Sequence, residues 1–285
     1  MKIGFIGLGI MGESMCENIV KKHNDKVYVS DHKRSQIEKL ASFGAIPCEN
    51  NTEVAKNADL IITMVPKSEH VKEVYTEILP VIDSTKICID MSTIDPAVSV
   101  ECANMIKAKG AQFADCPVVK SKSAAIDGTL GILIGADEEL VPVIKPILAY
   151  MGTNIKYMGG NGAGLVMKIC SNAMVAAVQN GVNETMALAQ KWGVSIDDYA
   201  EAISYGSGKN FYLEVQKENL KNEDWTTAFS LENEHKDLGI CERMAEKVGF
   251  EMPGLKACKN VYDKGMERDM GKLDFRSTYK IVKGD

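Results

Sequence analysis

No Cys-x-x-Cys pair occurs among the eight cysteines, and no Cys/His cluster has metal-ligand spacing. A bound metal is therefore not expected, and the thiols read as reduced and mostly buried, as in a cytoplasmic protein. No basic run interrupts a chain of formal net charge −6, which argues against a nucleic-acid partner. No signal peptide is expected, because Met1-Lys2 leads straight into a strand and a glycine turn. No apolar run reaches the ~20 residues of a bilayer span, so no membrane partner is expected. Internal repeats and low-complexity tracts are missing too. What is there is globular in composition: 285 residues, 45% apolar and 25% charged, enough for one large domain or two ordinary ones.

The chain opens with a short apolar strand, Lys2 to Ile6. Gly7-Leu8-Gly9-Ile10-Met11-Gly12 follows, and then a helical stretch from Glu13 to Lys22. Strand, G-x-G-x-x-G and helix in that order form the dinucleotide-binding arrangement: a tight turn, close approach to a pyrophosphate, and a helix N-terminus that favours anions. A second strand, Lys26 to Ser30, ends at Asp31, some two dozen residues after Gly7. A carboxylate there suits the ribose hydroxyls and repels a 2′-phosphate, so NAD(H) is expected over NADP(H). Asp31 also reads as a turn or cap residue, and His32, Lys33 and Arg34 pull toward NADP(H).

Strands over Asp59–Val65, Lys86–Asp90, Ala111–Asp115 and Leu130–Ile134 continue an α/β alternation, which implies a mostly parallel sheet covered on both faces. Ligands of such sheets lie beyond the carboxyl ends of the strands. Met64-Val65-Pro66, Ser92-Thr93 and Asp115-Cys116-Pro117 fall there. From Gly159 the pattern changes. A helix of some 29 residues, roughly 43 Å long, is expected to run to Trp192, with Gly193 as its stop. Its first half is apolar nearly all round, which predicts burial on most faces. Lys168, Ser171 and Asn172 share one face of its first turns. A lysine there snorkels, pairs or does chemistry. Beyond Gly193 only helical periodicity remains, and the polar stretch from Asp269 is expected on the surface.

Together these residues resemble the β-hydroxyacid dehydrogenases, the family related to 3-hydroxyisobutyrate dehydrogenase. Four blocks carry the resemblance: Gly7 to Met15; Asp90-Met91-Ser92-Thr93-Ile94-Asp95-Pro96; Asp115-Cys116-Pro117-Val118 with Gly128-Thr129-Leu130; and Gly162-Ala163-Gly164 leading to Lys168 and Asn172. Lys236-Asp237-Leu238 is a weaker fifth. The resemblance implies an α/β fold with a Rossmann domain over 1–162 and an all-helical domain over 163–285. The second begins with an interdomain helix, 163–192, and such domains often serve oligomerisation, here as a homodimer or homotetramer. Lys168 is the implied acid/base. Asn172 would bond the substrate or orient that lysine, and Lys236 would approach a cofactor held by the glycine loop, Asp31, Met64-Val65-Pro66 and Thr93.

Two departures stand out. Most members continue Asp-Ala-Pro-Val with Ser-Gly-Gly, whose serine and glycine amides hold the substrate carboxylate. This chain has Val119-Lys120-Ser121-Lys122-Ser123. Many members read Lys-x-x-Asn-Asn, where Ser171 replaces the first asparagine. A rebuilt head-group site suits a larger or stronger anion such as a sulfonate, and sulfolactaldehyde reductases look similar here and at His235 to Ile240. Lys120 and Lys122 also read as solvent-facing loop residues. The expected partner is a small anionic aldehyde or hydroxy acid. Imine reductases and non-catalytic cofactor-binding scaffolds share the fold but generally lack the lysine at position 168.

Overall fold

A computed structural model describes residues 1–284. The elements are β1 (Ile3–Ile6), α1 (Gly12–Lys22), β2 (Val27–Ser30), α2 (Arg34–Ser42), β3 (Ile46–Pro47), α3 (Asn51–Asn57), β4 (Leu60–Thr63), α4 (Ser68–Ile78), β5 (Ile87–Asp90), α5 (Pro96–Lys107) and β6 (Gln112–Asp115). They continue with β7 (Val118–Val119), α6 (Lys122–Asp127), β8 (Leu130–Ala136), α7 (Val141–Leu148), β9 (Gly152–Gly159) and α8 (Ala163–Lys191). The remainder is helical: α9 (Ile196–Ser204), α10 (Phe211–Lys221), α11 (Leu231–Lys247), α12 (Pro253–Glu267) and α13 (Thr278–Lys283). Among the described residues no helix is long and apolar enough to cross a membrane.

Contacts divide the chain into two compact units, Met1–Lys168 and the remainder from Ile169. The division falls inside α8 rather than at its start. The first unit is a Rossmann-type α/β layer structure. Its sheet runs β3-β2-β1-β4-β5-β6-β8-β7, with β9 beside β8. The six strands from β3 to β6 are parallel, and β8 enters antiparallel to β6. Strand alternation sends Ile3 and Phe5 into one apolar core with Met15, Leu40 and Ile144. It sends Ile6 and Ile61 into the other, with Val71, Tyr75 and Phe113. Both faces are thus covered, and the carboxyl ends of the parallel strands are left open for polar residues.

The second unit packs its helices around two further apolar clusters, one on Leu231, Leu238 and Tyr262, the other on Met186, Tyr199 and Tyr212. Side-chain caps start several of them: Asn210 accepts from Leu213 N at 2.8 Å, and Ser230 from Asn233 N at 3.3 Å.

Two expectations are corrected. The polar stretch from Asp269 is not a surface tail, because Asp274, Arg276, Thr278 and Tyr279 are buried. Asp274, Arg276 and Thr278 are all bonded. Asp274 accepts from Ala228 N and Phe229 N and lies 3.0 Å from the Arg276 guanidinium. Arg276 donates to the carbonyls of Asp224 and Thr226, both at 2.7 Å. Thr278 meets the α8 side chains Gln179 and Asn183, which the helix turns inward. Burial of polar groups is inexpensive only when they are bonded in this way. The second correction concerns α8. In its first half one face is exposed, with Val166 at 43%, Met167 at 40% and Met174 at 65% of their full accessibility.

Candidate active site

The glycine loop joins β1 to α1. Gly7 has φ +95°, a conformation that L side chains rarely adopt, and a Cβ there would sit 2.3 Å from the Met64 carbonyl oxygen. Gly12 is pressed onto the Gly7 carbonyl, where a Cβ would lie 2.1 Å away. Gly9, between them, faces open space. The loop therefore has a fixed base and an open, side-chain-free middle at the start of an eleven-residue helix. That is the cradle a pyrophosphate requires, so the residues present fit a dinucleotide. Leu8 is buried, Met11 half-buried, and Ile10 exposed.

Asp31, at the end of β2, does more than the sequence suggested. Its Oδ2 accepts from Leu8 N at 2.6 Å and its Oδ1 from Lys33 N at 2.7 Å. It ties the glycine loop to the β2 turn, and each oxygen keeps a second lone pair for a ribose hydroxyl. His32, Lys33 and Arg34 are exposed.

Beside this loop lie the ends of β4 and β5. Met64, Val65 and Thr93 are half-buried and Pro66 is exposed. A residue that sequence reading left without a role holds them together. Asp90 is fully buried at the end of β5. It accepts from Thr63 Oγ1 at 2.8 Å and Ser92 Oγ at 2.7 Å, and Ser92 Oγ accepts from Val65 N at 2.9 Å. The only signal in the sequence is an acid closing an apolar strand.

Val119 to Ser123 leave β7 and enter α6. Val119 is half-buried, with its Cγ2 against Gly131. Lys120 is exposed and has φ +81°. Its Nζ donates to the Thr129 carbonyl at 2.6 Å. The Ser121 and Ser123 hydroxyls bond each other at 2.8 Å. The structure thus brings Lys120, Ser121 and Ser123 together on the exposed entry to α6.

Lys168 is half-buried in the second turn of α8 and ends the first unit. Ser171 is half-buried one turn further on. In the second unit, the buried Asn172 donates to Asp237 Oδ2 at 2.7 Å. Asp237 Oδ1 lies 3.2 Å from Lys236 Nζ. Asp237 therefore links two expected site residues, although the sequence presented it only as part of a matching block.

Comparison with known proteins agrees over both units. Residues 2–159 match the NAD binding domain of 6-phosphogluconate dehydrogenase. Residues 162–282 match the family described as NAD-binding of NADP-dependent 3-hydroxyisobutyrate dehydrogenase. An uncharacterized oxidoreductase of Bacillus subtilis, YkwC, is 34% identical over 98% of each chain. The mitochondrial 3-hydroxyisobutyrate dehydrogenase of Drosophila melanogaster is 32% identical over 99% of this chain and 89% of its own. The solved structure of Mycobacterium tuberculosis 3-hydroxyisobutyrate dehydrogenase with L-serine superposes with a TM-score of 0.92 at 27% identity, covering 99% of this chain and 98% of that one.

Proposed function

The chain belongs to the β-hydroxyacid dehydrogenases related to 3-hydroxyisobutyrate dehydrogenase, pyridine-nucleotide enzymes that act on CH–OH groups, and we propose that within this family it reduces a short semialdehyde with a strongly anionic head group. The best fit is 3-sulfolactaldehyde, reduced to dihydroxypropanesulfonate. One observation carries the reading: Lys120 occupies a backbone conformation that favours glycine, at φ +81°. A non-glycine residue there costs about 1–2 kcal/mol. Such strain persists where the side chain has a use. A cation with neighbouring Ser121 and Ser123 hydroxyls suits a sulfonate better than a pair of glycine amides would.

In this reading the bound nicotinamide supplies or accepts the hydride. Lys168 gives a proton to the carbonyl oxygen during reduction and takes it from the hydroxyl during oxidation. Asn172, whose amide is held by Asp237, offers its carbonyl oxygen to a substrate hydroxyl. Lys120 leaves the Thr129 carbonyl for the head group. Cofactor oxidation with sulfolactaldehyde, methylmalonate semialdehyde and tartronate semialdehyde tests the proposal. The highest kcat/KM is expected for sulfolactaldehyde. Preference for methylmalonate semialdehyde would replace this reading with 3-hydroxyisobutyrate dehydrogenase.

NADH is the proposed cofactor, supported by the Asp31 carboxylate, which repels a 2′-phosphate. kcat/KM is expected to be higher with NADH than with NADPH. Equal or better use of NADPH would mean that His32, Lys33 and Arg34 decide the preference. We also propose a homo-oligomer, supported by the exposed, mostly apolar stripe of α8 formed by Cys170, Met174, Ala177, Gly181 and Leu188, with Glu184 the one charged residue on it, which a second copy would cover. Light scattering that gave a monomer at micromolar concentration would remove this part.

A further inference from the structure

The start of α8 is anchored by groups that the reaction does not consume. The first N–H groups of a helix have no partner inside it. Here Gly162 N and Leu165 N donate to the two oxygens of Asp115, at 2.6 and 2.9 Å. Asp115 belongs not to the helix but to the end of β6, and it is fully buried. The preceding residue, Asn161, donates from its amide to the carbonyls of Phe113 and Gly135, at 2.9 and 3.3 Å.

The carboxylate lies in a slot with glycines on two sides. A Cβ on Gly135 would sit 2.4 Å from Asp115 Oδ1, and one on Gly164 would sit 2.9 Å from Oδ2 and 2.5 Å from the Leu133 carbonyl oxygen. The slot fixes the height and rotation of the first helical turn against the sheet. In an α-helix the N–H of Lys168 donates to the carbonyl of Gly164, four residues back. The residue in contact with Asp115 is thus also the backbone partner of Lys168.

We propose that Asp115 is a positioning residue for Lys168: by capping α8 from the sheet, it sets where the lysine side chain begins. The proposal rests on the reading of Lys168 as the acid/base. It accounts for a fully buried acid at the end of β6, and for small residues at positions 135 and 164.

The cap is strongest when Asp115 is ionised. Burial pushes its pKa up to about 6, against the opposing pull of the two N–H donors, and the neighbouring Asp90 adds to the rise. The other titratable groups nearby are Cys116, beside it on β6, whose thiol burial keeps neutral, and Lys168 one turn along α8. β8 and the first turn of α8 present only glycine and apolar residues. Protonation below pH 6 weakens the cap, so kcat acquires an acid limb that Lys168 itself does not produce.

The test compares Asp115→Asn, Lys168→Ala and the double variant at saturating NADH and aldehyde, with folding followed by circular dichroism. Asp115→Asn keeps one acceptor and is expected to lose about tenfold in kcat, since small misplacements of a reacting group cost up to about a hundredfold. NADH affinity should be unchanged, and the acid limb near pH 6 should vanish. Added to Lys168→Ala, it should change kcat by less than about twofold, because both act through one group. A folded Asp115→Asn enzyme with wild-type kcat overturns the proposal, as does an equal loss in both backgrounds or an unchanged acid limb. An inactive Lys168→Ala beside an unaffected Asp115→Asn removes this proposal alone. A fully active Lys168→Ala removes the catalytic reading as well. If Asp115→Asn does not fold, Asn161→Ala takes its place, with an expected loss of about threefold in kcat that disappears in the Lys168→Ala background. Unchanged kcat in Asn161→Ala then overturns the proposal.

Discussion

Lys168→Ala is expected to lower kcat by roughly 10² to 10⁴ while the Kd for NADH stays within a few-fold of its wild-type value. The expected effect is large because general acid–base catalysis by a positioned group contributes rate factors of that size. Its selectivity follows from the architecture. The glycine loop and Asp31 are built from β1, α1 and β2, whereas Lys168 stands in the second turn of α8. Removing its side chain leaves the Asn161 and Asp115 anchors of that helix in place. Alanine is the best helix former, so the backbone should be undisturbed. Steady-state kinetics and a fluorescence titration with NADH separate the two effects. Near wild-type kcat would sink the mechanism, and so would loss of NADH binding with no selective effect on turnover.

The second large effect concerns Lys120. Lys120→Ala and Lys120→Met are expected to lose about ten- to a hundredfold in kcat/KM on sulfolactaldehyde, because a hydrogen bond to a charged group is worth roughly 1.5–3 kcal/mol. An uncharged aldehyde of similar length should be little affected. Lys120→Gly sharpens the test. Glycine relaxes the left-handed backbone, so stability should rise by about 1 kcal/mol while the anionic substrate is lost. Higher stability with lower activity in one variant is the pattern of a strained residue retained for use. If charged and uncharged aldehydes respond alike, the Lys120 ammonium plays no part in substrate binding, and its bond to the Thr129 carbonyl is only structural.

The legible parts of the fold were those in which chain and solvent make the same demand. The strands β1, β2, β4 and β5 are short apolar runs buried on both faces, and the glycine loop follows from the close packing of its own backbone. α8 was legible as a long helix for the same reason: helix formers between two glycine-containing turns. Which of its faces is covered was not legible, because Met167, Cys170 and Met174 have the same apolar character as the buried Ile169 and Ala176. β9 escaped notice because Thr153, Asn154 and Lys156 are exposed beside the sheet and carry no apolar alternation. The stretch from Asp274 looked like surface because its partners, Gln179, Asn183 and Trp225, lie far away in sequence. In the candidate site the chemistry-bearing types were readable from the resemblance. The residues that hold them, Asp90, Asp115 and Asp237, were not, because each is a single buried acid with a partner on another element: Thr63, Gly162 and Asn172 respectively.

The burial of residues 274 to 279 has a consequence for how the protein is made. The helical unit needs the Asp274–Arg276 pair and the Tyr279 ring to fill its interior, yet the ribosome adds them after every helix they pack against except α13. Synthesis runs at roughly 5–20 residues per second, and domains generally fold as units. The α/β unit is therefore complete and free to fold several seconds before the helical unit has its interior. Until then α8 and α11 expose apolar and polar surface meant for each other and for that late segment. The nascent chain passes through an interval in which the nucleotide fold is free to be mature while its helical companion still lacks part of its interior.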